Sequence, residues 1–107
     1  MLNFAEGNAN EAIDYYERGL KITVASLGED HPDMGMSYNN LGNVYKNKGN
    51  YDLAIDYYKR ALKIKVASLG ENHPDVAGSY NNLGNAYDIK GESDKAIDYY
   101  QRGLKIK

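Results

Sequence analysis

A chain of 107 residues with 15 acidic and 13 basic side chains is one domain's worth, and its charge of −2 gives no electrostatic reason to meet nucleic acid or an anionic membrane. It has no cysteine, which excludes a disulfide framework and a thiolate metal site. The opening MLNFAEGNANEA lacks the basic and apolar segments of a secretory signal, and no run is long enough to span a bilayer, so the expected setting is cytoplasmic.

Residues 1–7 are expected to be irregular, and a first helix then runs over about 9–27. A second runs over about 33–48, with Pro32 near its first turn, where a missing N–H costs nothing, and Asp30 or His31 placed to cap it. Met34, Tyr38, Leu41 and Tyr45 form one narrow apolar stripe on it, and Gly49 stands where a left-handed residue ends a helix. The third helix, about 51–69, has a broader apolar arc. Tyr51, Ala54, Ile55, Tyr58, Leu62 and Val66 are flanked by Leu53, Tyr57, Ala61 and Ile64. Such an arc predicts an outer helix packed against more than one neighbour. Helices over about 75–90 and 93–107 repeat the second and third.

The repetition is literal. Residues 8–49 laid over 50–91 match at 29 of 42 positions, and a partial third copy fills 92–107. A period of this length means stacked units, each unable to bury its apolar face alone. Loops of two to five residues make neighbouring helices antiparallel. The fold class is therefore all-α: a helical-hairpin solenoid of five helices and about two and a half repeats, one array over 1–107.

Leu41-Gly42, Tyr45, Ala54, Tyr58 and Ala61 occur at the spacings of the tetratricopeptide repeat, as do Leu83-Gly84, Tyr87, Ala96 and Tyr100. That family has a period of about 34 residues. The eight additional residues from Leu69 to Val76 resemble its extended variety, found in kinesin light chains. The resemblance implies a right-handed superhelix and a protein-binding role. It also implies a concave face on the inner helices that receives an extended peptide or a partner helix, with asparagines holding the ligand main chain. Gly19 and Gly103 depart from Ala61, at a helix-propensity cost of about 1 kcal/mol each.

The expected groove lies opposite the inner-helix stripe. It comprises Met36, Asn39, Asn40, Asn43, Lys46 and Asn47, with Gly78, Asn81, Asn82, Asn85, Asp88 and Ile89 in the next copy. Asparagine is a mediocre helix former, but its amide offers donors and an acceptor to a peptide backbone. Asn39, Asn43, Asn47, Asn81 and Asn85 are expected to be accessible, with amides not spent internally. The bland alternative is a solvated face with hydrogen bonds between helices through Asn40 and Asn82. Asn39 and Gly78 stand where a carboxylate clamp would need cations, so no such clamp is expected.

Other candidates have simpler readings. His31-Pro32-Asp33 and His73-Pro74-Asp75 are expected to cap helices and close loops, with no metal bound. Lys59, Arg60, Lys63 and Lys65 belong to a solvated face in which Asp14, Asp56 and Asp98 each precede an arginine by four residues. Ser26, Ser37, Ser68 and Ser79 lack a base and an orienting acid, so no enzyme and no cofactor are expected. The paired tyrosines at 15–16, 57–58 and 99–100 read as core and inter-helix contacts.

Self-assembly is the alternative function. An end face of Ala12, Ile13, Tyr16 and Leu20, and another of Ala96, Ile97, Tyr100 and Leu104, are expected to stack on other copies and form a homo-oligomer. Their periodicity suggests that the two faces fit one another head to tail.

Overall fold

The computed structural model of the protein describes residues 4–28 and 30–106, except for the side chains of 4–9. Five helices follow one another: α1 Phe4–Leu27, α2 Met34–Lys48, α3 Tyr51–Leu69, α4 Pro74–Lys90 and α5 Ser93–Leu104. Among the described residues there is no strand. Each helix packs mainly on the next in the chain. The shortest dimension, 18 Å, is that of two helix layers of about 10 Å.

Two boundaries differ from expectation. Helix α1 begins at Phe4, so the stretch expected to be irregular is helical from that residue, while 1–3 lie outside the described residues. Ala5, Glu6, Ala9, Glu11 and Ala12 are good helix formers, and the helix runs through Gly7-Asn8, the counterpart of the Gly49-Asn50 pair that ends α2. Helix α5 stops at Leu104 rather than continuing to 107. Gly103 stands there where α3 has Ala61, and it lowers the propensity of the final turn.

Gly49 ends α2 at φ 91°, ψ 5°, and the Asn50 amide donates to the Tyr45 carbonyl at 2.9 Å. This left-handed closure turns the chain tightly back on itself. Asn50 then caps α3, its side-chain oxygen accepting from the Leu53 amide at 3.3 Å. His73 does the same work for α4, while His31 closes the turn ahead of α2, whose N-cap residue Asp33 makes no side-chain capping bond. The Nδ1 atoms of His31 and His73 accept from the amides of Asp33 and Asp75 at 3.1 and 3.0 Å. Lys90, at the end of α4, reaches Asp52 at 2.6 Å and Glu92 at 3.1 Å, tying the starts of α3 and α5 together. The hydrogen bonds from Lys90 and Lys95 hold the Glu92 carboxyl below its ordinary value.

The stripe read from the sequence is the core. Met34 and Tyr38 pack with Ala61 and Ile64 in one cluster. Leu41, Tyr45, Ala54, Ile55 and Tyr58 join Leu83, Ala86, Tyr87 and Ala96 in a second. The second cluster spans both hairpins, because α3 packs against α2 on one side and α4 on the other. That double packing accounts for its broad apolar arc.

Tyrosine supplies much of the hairpin packing. The Tyr57 ring stacks on Tyr38 and Tyr45 with centroids 5.9 and 5.6 Å away, and Tyr99 lies against Tyr80 and Tyr87 at 6.2 and 5.5 Å. The Arg60 guanidinium covers Tyr57 at 5.5 Å, and Arg102 covers Tyr99 at 5.4 Å. Asp14–Arg18, Asp56–Arg60 and Asp98–Arg102 form ion pairs at 3.1–3.2 Å. Within the basic run, Arg60 is thus both paired and stacked on the outer layer.

Candidate peptide-binding face

The unpacked side of α2 and α4 carries two parallel rows at helical spacing. Met36, Asn40, Asn43 and Asn47 form one, and Gly78, Asn82, Asn85 and Ile89 the other. Their rims are open to solvent: Met36 is 72% exposed and Ile89 53%. Asn47, Asn81, Asn85 and Asp88 are also exposed, while Asn39, Asn40, Asn43, Asn82 and Lys46 are half-buried.

The expectation that the asparagine amides are unspent is corrected at three of its five positions, Asn39, Asn43 and Asn85. Asn82 donates from Nδ2 to Asn39 Oδ1 at 2.9 Å, a stitch between the two inner helices. Tyr58 donates its hydroxyl to Asn43 Oδ1, and Tyr100 donates to Asn85 Oδ1. Adjacent residues on a helix diverge by about 100°. Asn39 therefore turns to the seam between repeats while Asn40 turns to the open side. Asn82 fulfils the inter-helix role expected of it, whereas Asn40 has no such bond.

Tyr58 and Tyr100 were legible as core residues, but their hold on the groove amides was not read. Each ring crosses a bare inner-helix backbone. A Cβ on Gly42 would sit 2.6 Å from the Tyr58 ring, and one on Gly84 would sit 2.6 Å from Tyr100. Glycine lets the outer tyrosine pass and reach the asparagine one position further on. The recurrent fifteen-residue spacings Asn43–Tyr58 and Asn85–Tyr100 were the signal available.

Burial governs the tyrosine hydroxyls. Tyr58 is 1% exposed, and loss of hydration pushes its pKa up to about 12. Tyr45 is also raised, first by burial and then by its 2.6 Å hydrogen bond to Glu17. A folded-state value above the unfolded one, about 10, means that folding retains the proton. The stabilisation is present below about pH 10 and is lost as pH rises through about 12. Denaturant midpoints should therefore fall steeply above pH 10, and Tyr58→Phe should lessen that fall. If all 11 tyrosines of the native chain titrated together near pH 10 by ultraviolet absorbance, the burial argument would be refuted.

The expected end faces divide. Ala96 is buried, and Tyr100 is half-buried on Gly84, so neither belongs to a free face. Ile13 and Leu20 are partly buried against the core, and Ala12 is half-buried. Tyr16, Ile97 and Leu104 are exposed, Leu104 at 84%. Helices α1 and α5 both hold the outer position of their repeat, so their free sides both suit an inner helix.

Among the described residues, open clefts lie away from this face. One, between the outer helices, is lined by Lys59, Tyr87, Lys95 and Asp98, and its two ammonium groups lie over the Tyr87 ring at 5.7 and 5.4 Å. No described helix is long and apolar enough to cross a membrane.

Comparison with known proteins agrees with this architecture. The pattern of the tetratricopeptide repeat matches residues 1–65 and again 33–107. The crystal structure of BtubC (BKLC) from P. vanneervenii is similar at 32% identity and a TM-score of 0.89, over 94% of this chain and 40% of that one. A putative kinesin light chain of Podosopora anserina, with nearly identical TPR-like repeats, shares the fold at 24% identity and a TM-score of 0.82, over 94% of this chain and 48% of that one. The MamA crystal structure is 31% identical with a TM-score of 0.68, over 96% of this chain and 51% of that one. The chain thus spans about half or less of each of these structures. No curated protein sequence matches it.

Proposed function

This chain belongs to the tetratricopeptide repeat family, and on that premise we propose that it is a cytoplasmic protein-interaction module that receives an extended peptide on the free face of α2 and α4. The observation that carries the reading is the pair of open rows on adjacent inner helices, stitched by Asn39 and Asn82. Met36 and Ile89 offer apolar contact at opposite ends, with the amides of Asn43 and Asn85 between them. An extended segment gains affinity from main-chain hydrogen bonds and specificity from side-chain contacts.

Peptides selected by display against the whole chain provide the test. Met36→Glu and Ile89→Glu are both at exposed positions and should leave melting nearly unchanged. Each should weaken selected peptides about tenfold or more by placing a charge in an apolar contact. Arg18→Glu, on the outer layer, should have no effect on binding. Equal sensitivity of all three variants, or of none, would contradict this placement.

Self-stacking is a second reading, favoured by exposed Ile97 and Leu104 on α5. Their counterparts on α3 are Ile55, buried at 6% exposure, and Leu62, partly buried against the core. A further inner helix would cover this face. Sedimentation over a concentration series separates the readings, because stacking gives a mass that rises with concentration and falls on Leu104→Glu.

A further inference from the structure

We infer that Tyr58 and Tyr100 fix Asn43 and Asn85 as hydrogen-bond donors, making the free face selective for main-chain carbonyl oxygens spaced three residues apart. This rests on the peptide-binding reading above and deepens it. A neutral amide offers one acceptor oxygen and two N–H donors. Tyr58 and Tyr100 hydroxyls donate to the Oδ1 atoms of Asn43 and Asn85. Among the described residues, neither Nδ2 has an internal partner. Each amide therefore turns its N–H side outward and its best acceptor inward.

The positioning groups are themselves constrained. Tyr58 is almost wholly buried, and its ring lies on Gly42 in the gap that a Cβ would fill. Tyr100 lies on Gly84 in the same way. The hydroxyl cannot drift far from its asparagine while the ring keeps this seat. A flexible asparagine would offer N–H or C=O as the ligand required, but a held one discriminates.

Spacing selects the register. Asn43 and Asn85 occupy equivalent positions on α2 and α4, which the Asn82–Asn39 hydrogen bond ties side by side at 2.9 Å, and helices meeting through their side chains lie about 10 Å apart. A polyproline II peptide advances about 9 Å per turn of three residues, so carbonyls three apart point the same way at a matching distance. One carbonyl can face each asparagine.

The test uses a peptide selected on the whole chain, with its backbone altered one bond at a time. Replacing a C=O by CH2 should weaken binding about tenfold at two positions three residues apart. N-methylation, which removes an N–H, should change affinity at the sites facing Asn43 and Asn85 by no more than about twofold. Tyr58→Phe and Tyr100→Phe keep the ring and remove the hydroxyl. Each should weaken the peptide about fivefold and reduce its discrimination against the reduced carbonyl. Tyr100, only half-buried, keeps the test available if Tyr58→Phe unfolds the chain. Sensitivity to N–H removal in place of C=O removal, or tyrosine variants with unchanged selectivity, would overturn the inference. A selection that yields no peptide would refute the peptide-binding reading and, with it, carbonyl selectivity. The amide orientation is decided separately by NMR of the free chain. A protected Tyr58 hydroxyl proton beside freely exchanging Asn43 side-chain protons supports it, and the reverse pattern contradicts it.

Discussion

Gly42→Ala is expected to destabilise the chain by about 2–3 kcal/mol, even though alanine is the better helix former by about 1 kcal/mol. The new methyl would lie 2.6 Å from two ring carbons of Tyr58, which is enclosed by the core and has no free side to move toward. The melting temperature should fall by about 10 °C. In a Tyr58→Ala background the clash is gone, and the same Gly42→Ala change should become neutral or stabilising. Gly84→Ala should cost about half as much or less, because Tyr100 is only half-buried and can swing outward. Urea midpoints of the four variants would decide this. Equal losses at Gly42 and Gly84 would show that helix geometry, rather than the tyrosine seat, sets the cost.

Leu83→Ala carries the larger expected effect, a loss of about 2–5 kcal/mol. Leu83 is 0% exposed and belongs to the cluster that joins α2 and α3 to α4 and α5. In a linear array, stability is a sum of units and the interfaces between them. A cavity at this interface weakens docking of the α4–α5 hairpin more than it weakens α2–α3. Hydrogen exchange should then show α4 and α5 opening before α2 and α3. Leu104→Ala, on an exposed residue of α5, should stay within about 0.5 kcal/mol. Uniform acceleration of exchange across all helices would contradict the nearest-neighbour account.

The fold was legible because its signals are local and repeated. Met34, Tyr38, Leu41 and Tyr45 mark a buried side by spacing alone, and Gly49 and Gly91 mark the hairpin turns by their chemistry. The free face could be placed as the remainder of the same helix. What could not be read was the use of each asparagine. Asn39 and Asn40 are identical neighbours, yet only Asn39 meets α4, because that depends on where the next repeat sits. The inward turn of the Asn43 oxygen likewise depends on a tyrosine from another helix. The end faces were legible in part: residues 14–20, 56–62 and 98–104 repeat one another, so periodicity alone puts α1 and α5 in the same outer layer. That Ala96 and Tyr100 are taken up by packing on α4 depends on where the inner helix sits.

Methionine-methyl NMR tests the placement of the binding face most directly. The chain has three methionines, and two of them report on opposite sides of one helix. Met36 is 72% exposed on the free face of α2, while Met34 is 0% exposed in the core. Titrating the chain with a display-selected peptide should shift the Met36 methyl resonance and leave Met34 in place. An unmoved Met36, with the response confined to Ile97 and Leu104 on α5, would contradict the account and assign binding to the end of the array.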